Sequence, residues 1–305
     1  MAERIEESTY CNLPNWWDAG YTGKGVTVWV MEPYRDHSRS CRRRVKEAAP
    51  DANIIIASQS YGTKNGQIGY YNVYENNDGN KKDAVPIEEF IEKNGIRIIS
   101  ASVSPSPFGK LGTTVGNYWA ELQKKYDLCL FSASANDYDK YKDFSKNVGW
   151  MIGALVQRSG KWIRAGYSNG GEGLDFAESV GWWSGTSSAT PYLAGKAALL
   201  LQRYPEMTHQ EVYEWLKAHS EDLGDPVEDP LYGFGLVVFP DVEEEKDVDQ
   251  TITTTKILVN GQIKEVKRVM VNDENYIRLR DMSDVLGICE VDYDAARNLP
   301  IVKTK

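Results

Sequence analysis

An α/β fold, with a mainly parallel sheet covered by helices on both faces and a small α+β module behind it, is predicted by three observations. Short β-branched runs alternate with segments of helical period through much of the first part of the chain. One segment, 186–201, is apolar nearly all round and so belongs inside the molecule. A charged run, Asp241-Val242-Glu243-Glu244-Glu245-Lys246-Asp247, then breaks the apolar pattern and separates residues 1–246 from a second unit at 251–305.

The elements follow in order. The turn Gly20-Tyr21-Thr22-Gly23-Lys24-Gly25 feeds Val26-Thr27-Val28-Trp29-Val30-Met31, a β-branched run that predicts a buried strand. Residues 38–48 predict a helix with Cys41, Val45 and Ala48 on one face, and Ala49-Pro50-Asp51 ends it before a second strand at 53–57. A helix at 86–93 leads to a strand at 96–103, and a helix at 115–125 leads to a strand at 128–132. The Tyr-, Asn- and Gly-rich stretch 58–82 predicts a long surface loop. After the buried helix comes another at 209–218, opened by the capping box Thr208-x-x-Glu211. In the second unit Asn260-Gly261 predicts a hairpin turn, and 276–282 leads into a short helix.

Composition narrows the function classes. With 305 residues, 41% of them hydrophobic and 26% charged, the chain can bury a full-sized core, which excludes disordered, collagenous and disulfide-stapled classes. A net charge of −9 repels a nucleic-acid backbone or an anionic membrane, so neither is an expected partner. The first residues carry no basic start with an apolar stretch behind it, and no apolar run reaches bilayer-spanning length, so the expected location is cytoplasmic. Cys11, Cys41, Cys129 and Cys289 show neither Cys-x-x-Cys spacing nor a His at ligand spacing, which predicts free thiols, no metal site and no cofactor.

Open parallel sheets bind ligands beyond the carboxyl ends of their strands, which points to Glu32, to 102–104 and to 134–137. Gly185-Thr186-Ser187-Ser188-Ala189-Thr190-Pro191 opens the buried helix, where a serine hydroxyl meets the positive end of the helix dipole and free backbone amides that can hold an oxyanion. Alone, that motif also fits an ordinary capping serine. A nucleophilic serine needs a base, and the chain has three histidines. His209 and His219 bracket the 209–218 helix and are expected to be solvated, whereas His37 starts the helix after the first strand.

Taken together these segments resemble the subtilisin-like serine peptidases over residues 13–240, including Leu223-Gly224-Asp225 and Tyr232-Gly233-Phe234-Gly235-Leu236 near the end. The resemblance implies a serine endopeptidase acting on a protein or peptide, with Ser187 as nucleophile and His37 as base, on a helix running into Ala49-Pro50-Asp51-Ala52. Glu32 stands where the family carries the orienting aspartate, and Asp36 is a second candidate for that role. Phe131-Ser132-Ala133-Ser134-Ala135-Asn136-Asp137 resembles the family's Ala-Ala-Gly-Asn stretch, which makes Asn136 the oxyanion donor and places Ser134, Ala135 and Asp137 at the substrate. Ala135 in place of glycine is expected to tighten the S1 wall, and Asp137 suits a basic P1 side chain. Ser102-Val103-Ser104 resembles the strand edge that pairs with substrate, with Ser104 replacing a glycine. Tyr61, Tyr70, Tyr71 and Tyr74 either form the opposite wall of that groove or belong to a mobile loop.

Other features depart from the family. Ser38 replaces the glycine after the histidine, and Arg39, Arg42, Arg43 and Arg44 crowd a helix that the resemblance implies to be apolar, which predicts an exposed, solvated face or a patch for an acidic substrate or partner. The substitutions Glu32, Ser38, Ser104 and Ala135 also leave room for a pseudopeptidase that keeps the fold for binding. The core motif starts within about a dozen residues of Met1, as in compact intracellular or phage-type members with a restricted target. The tail, with Val259-Asn260-Gly261 and Tyr276-Ile277-Arg278-Leu279-Arg280-Asp281, resembles a copper-amine-oxidase-N-terminal-like module without metal ligands, which implies an interaction or self-association unit.

Overall fold

Val28, Trp29 and Val30 are fully buried and Met31 nearly so, which explains a strand sequence without polar alternation: apolar packing covers both of its faces. The computed structural model describes residues 6–64, 67–75, 85–103, 107–138, 143–226, 228–242, 253–259, 262–271, 274–276, 289–294 and 299–304. By internal packing the chain divides into two units, Met1–Val242 and Glu243–Lys305.

In the first unit α1 (Glu7–Tyr10) and α2 (Leu13–Asp18) precede β1 (Thr27–Met31), α3 (Arg35–Ala48) and β2 (Asn53–Lys64). The chain continues through β3 (Gln67–Glu75), β4 (Val85–Pro86), α4 (Ile87–Asn94), β5 (Ile96–Ala101), α5 (Thr114–Tyr126) and β6 (Cys129–Ala133). Then come β7 (Trp150–Arg158), β8 (Lys161–Arg164), β9 (Phe176–Ser179), α6 (Thr186–Arg203), α7 (His209–Ala218), β10 (Ser220–Glu221) and β11 (Leu236–Val237). The main sheet runs β4-β3-β2-β1-β5-β6-β7-β8, with β9 also on β7. Pairing is parallel from β2 across to β7 and β9, and antiparallel only where β3, β4 and β8 join. This is the predicted α/β class, with separate apolar clusters packed on the sheet.

The stretch predicted as a long loop is instead largely a hairpin: β2 extends to Lys64 and pairs with β3 from Ala57↔Glu75 to Lys64↔Gln67. Tyr61, Tyr70, Tyr71 and Tyr74 therefore lie in strands, in keeping with the β-propensity of Tyr, Ile and Val outweighing the local Asn and Gly content. Strands β7, β8 and β9 were not anticipated from the sequence.

Helix α6 is buried from Ser188 to Leu201. It packs against α3, with Gly195 so close that a β-carbon there would lie 2.6 Å from the Val45 carbonyl. Its buried Lys196 is neutralised by Glu178 at 2.6 Å and also donates to the Val237 carbonyl at 2.7 Å. Pro191 in α6 has no N–H to give the carbonyl four residues back, so the Ser187 carbonyl is free for other donors.

Asp175 sits partly buried just before β9, and its desolvation pushes its carboxyl up to about 7 despite hydrogen bonds from the Met151 amide at 2.6 Å and the Tyr213 hydroxyl at 2.8 Å. Because the folded value lies above the unfolded 3.8, the folded chain holds the extra proton between those limits, and this contribution to stability is lost as pH rises through about 7. The difference reaches roughly 4 kcal/mol. Denaturant unfolding of Asp175→Asn should show that slope removed relative to the unaltered chain.

The second unit holds β12 (Thr253–Val259), β13 (Gln262–Val271) and β14 (Glu274–Tyr276) in one antiparallel sheet, and β15 (Cys289–Asp294) with β16 (Leu299–Thr304) in another. Val259 pairs with Gln262, the register expected for a two-residue turn at 260–261. Those turn residues and the short helix expected after Tyr276 lie outside the described residues. No helix among the described residues is long and apolar enough to cross a membrane.

Candidate active site

Strands β1, β5 and β6 are parallel neighbours, so their carboxyl ends deliver Glu32, Ser102 and the 134–136 segment to one edge of the sheet. The first turns of α3 and α6 bring His37 and Ser187 to the same place. Glu32, His37, Ser102, Val103, Ala135, Asn136, Asp137, Thr186 and Ser187 line one cleft of about 630 Å³. Ser104 lies outside the described residues.

Glu32 is fully buried and held at both carboxylate oxygens: Oε1 accepts from the Ser102 amide at 3.1 Å and Oε2 lies 2.8 Å from His37 Nδ1. The additional methylene, relative to aspartate, is taken up in reaching from the end of β1 to both partners. A carboxylate on Nδ1 fixes the tautomer that keeps the Nε2 lone pair available as a base. Asp36 has no such part, since its side chain is 97% exposed and pairs with Arg39 at 3.4 Å.

Two neighbours of His37 were not read from the sequence as parts of the site. Trp183 packs edge-on against the imidazole with centroids 5.0 Å apart. Cys41, one helical turn along α3, places Sγ 3.7 Å from His37 Nδ1 and 3.7 Å from the Ser187 carbonyl. Burial, reinforced by the charge of Glu32, raises the Cys41 thiol well above its ordinary value, so it stays neutral. Glu32, His37 and Cys41 bring potential metal-ligand atoms within 4.8 Å of one another. As folded here, Nδ1 is committed to the carboxylate.

Ser187 and Ser102 bond reciprocally: Ser187 Oγ donates to the Ser102 carbonyl at 3.1 Å, and Ser102 Oγ donates to the Ser187 carbonyl at 3.1 Å. The second bond uses the carbonyl that Pro191 leaves free. Asn136 Oδ1 accepts from the Thr186 amide at 2.8 Å, which leaves the Nδ2 hydrogens as donors at the cleft. Gly185 has φ +94°, and a β-carbon there would lie 3.3 Å from Asn136 Nδ2. Glycine at that position thus serves both the turn into α6 and the space for the amide.

Three expectations need correction. Ser134 is buried, with its hydroxyl donating to the Asn169 carbonyl at 2.9 Å, and does not line the cleft. Its partner Asn169 is an unanticipated brace: its amide donates to the Ala135 carbonyl at 3.0 Å and its Oδ1 accepts from the Asp137 amide at 2.8 Å. His209 and His219 are not merely solvated ends. His209 Nδ1 pairs with Asp127 at 2.5 Å, and His219 stacks on Trp215 at 3.9 Å.

Residues 133–235 match the model of the Subtilase family, a span that contains Asn136 and Ser187. The backbone is similar to that of a solved lanthipeptide protease, with a TM-score of 0.55 and 16% identity over 76% of this chain and 91% of that one. The fold is that of a subtilisin-like serine peptidase. Among curated relatives, Subtilisin BL from Lederbergia lenta is 28% identical over 164 residues, 49% of this chain and 57% of that protein. An extracellular serine protease from Serratia marcescens is 36% identical over 86 residues, 28% of this chain and 8% of that protein. The chain thus matches less than two thirds of the length of these relatives.

Within the subtilisin-like fold, Ala135 is a residue under strain at the cleft. It is buried with φ +85°, in the left-handed region, where the resemblance implies glycine. That conformation costs an alanine roughly 1 kcal/mol relative to glycine. Ala135→Gly should raise the unfolding free energy in denaturant titration by somewhat less than about 1 kcal/mol, the added freedom of the unfolded chain offsetting part of the relieved strain.

Proposed function

We propose that this subtilisin-like chain is a serine endopeptidase with a Ser187-His37-Glu32 relay. The observation that carries the reading is the 2.8 Å contact between a buried carboxylate and His37 Nδ1 in the cleft that also holds Ser187 and Asn136. Ser187 Oγ turns from the Ser102 carbonyl to His37, gives its proton to Nε2 and forms a bond to the substrate carbonyl carbon. Asn136 Nδ2 and the Ser187 backbone amide hold the resulting oxyanion. The imidazolium then protonates the departing amine as the C–N bond breaks, and a water activated by the same imidazole releases the acyl group.

The acyl side of the substrate lies along the Ser102-Val103 edge as an added strand, with Ala135 and Asp137 at the P1 side chain. A restricted target, rather than general degradation, agrees with the departures from the family at Ser38, Ser104 and Ala135. The resemblance of residues 251–305 to an interaction module assigns partner binding or self-association to that unit. A cytoplasmic location is proposed on the cysteines, whose spacing fits free thiols in a reducing compartment.

Incubation with denatured casein, followed by mass-spectrometric mapping, tests the proposal. The expected result is cleavage at a few defined sites, and Asn136→Ala should lower kcat by about 10²–10³ with little change in KM, as for loss of one oxyanion donor. Equal rates in the two proteins would remove Asn136 from the mechanism.

A further inference from the structure

Six of the fourteen residues of α3 are basic and two are acidic, in a chain whose net charge is −9. Arg39 and Arg43 lie one turn apart on its solvent side, with side chains 63% and 65% exposed. Beside Arg43 runs an aromatic strip that reaches His37 at the cleft. Trp183 packs on the His37 ring, Trp182 stacks on Trp183 with centroids 6.2 Å apart, and the Arg43 guanidinium sits over Trp182 at 4.2 Å. Trp182 is 48% exposed, although its indole N–H is anchored on Glu47 at 2.7 Å.

The chemistry says which end of a substrate meets this strip. The departing amine must take its proton from His37, so the residues after the scissile bond leave the cleft on the side of His37. Trp183 covers that ring, and beyond it lie Trp182 and the arginines. Six residues of helix separate His37 from Arg43, about 9 Å along the axis and about a third of a turn around it, a path that an extended peptide covers in about four residues. Arg43 pairs with Glu47 at 3.0 Å, but Glu47 is shared with the buried Arg44 at 2.6 Å and with the Trp182 indole, and Glu7 grips the same Arg44 guanidinium, so the pair leaves Arg43 partly uncompensated. Asp36, the other carboxylate on α3, is a fully solvated partner of Arg39 at 3.4 Å.

We infer that the Trp183-Trp182 strip with Arg39 and Arg43 is a leaving-side subsite that selects substrates carrying acidic residues shortly after the cleaved bond. This rests on the serine endopeptidase reading for the direction of the substrate. Each exposed charge pair contributes about a 2–5-fold preference, and two together about tenfold, weakening with salt.

Two internally quenched peptides would share the acyl-side sequence of a site cut in casein and differ at the second to fourth residues after the bond, Asp-Glu-Asp against Lys-Arg-Lys. The full chain should cleave the acidic peptide with about tenfold higher kcat/KM at low ionic strength. Arg39→Glu with Arg43→Glu should invert the order, and the milder Arg39→Gln with Arg43→Gln should bring the ratio near one. A peptidyl anilide with the same acyl side reports the nucleophile of the unaltered chain independently, so failure of the endopeptidase reading appears there and not in the ratio. Anisotropy of fluorescein-labelled leaving-side peptides on the full-length Ser187→Ala chain gives a readout that needs no hydrolysis. Equal handling of the acidic and basic peptides, or an acidic preference that survives the double glutamate variant in a folded sample, overturns the proposal.

Discussion

Replacing Ser187 by alanine should lower kcat by about 10⁶-fold, the scale seen when the nucleophile of a serine peptidase of this fold is removed. The same change should leave the fold in place. Ser187 is half-buried, and its hydroxyl makes one hydrogen bond, to the Ser102 carbonyl at 3.1 Å, whose loss is worth about 1 kcal/mol. The carbonyl of residue 187, which Ser102 and Cys41 approach, belongs to the backbone and survives the substitution. Hydrolysis of casein should therefore vanish while the urea midpoint hardly moves. Retained hydrolysis would mean that another group is the nucleophile.

Glu32→Gln should cost about 10⁴ in kcat, through the tautomer of His37 rather than through geometry. The glutamine amide has nearly the shape of the carboxylate, and its oxygen still accepts from the Ser102 amide. Its NH₂ then faces Nδ1, which must become an acceptor, so Nε2 carries the proton and no longer serves as a base. Glu32→Asp keeps the charge but shortens the reach from β1 by one methylene, so it cannot serve both Ser102 and His37 without backbone movement. A displacement of that size costs about 10²-fold. Steady-state kinetics on one peptide separates the cases: glutamine should be far worse than aspartate if orientation by charge matters, and far better than aspartate, close to the unaltered chain, if position alone does.

The parts of the fold written in local chemistry were legible. The β-branched run of β1, the Thr208-Glu211 capping box of α7 and the all-round apolar α6 appear where their residues predict them. The 58–82 stretch was misread because its Asn and Gly content suggested a loop, whereas β2 runs on past Ala57, where its pairing with β1 ends, by pairing with β3. Of the strands between β6 and α6, β8 and β9 escaped because they are four residues each, too short for periodicity to declare them, and β7 because its buried first six residues show no polar alternation.

At the site, Glu32, His37 and Ser187 could be picked out as candidates because each follows a strand or opens a helix in a segment that resembles the family, and they line one cleft. The supports were not. Asn169 and Trp183 support the site only through the packing of separate segments, Cys41 touches His37 from the next turn of the same helix, and Ser134 turns inward because Asn169 offers it a carbonyl. Ala135 shows the limit from the other side: sequence marks it as unusual, but only its φ of +85° shows that the cost is backbone strain.

The central claim is that Ser187 is a nucleophile activated by His37. Treatment of the purified chain with a fluorophosphonate probe, with intact mass and peptide mapping, tests it most directly. The account predicts one adduct per chain, on Ser187, lost in Ser187→Ala and greatly slowed in His37→Ala. A folded chain that takes no label, or that labels equally well without His37, would contradict it.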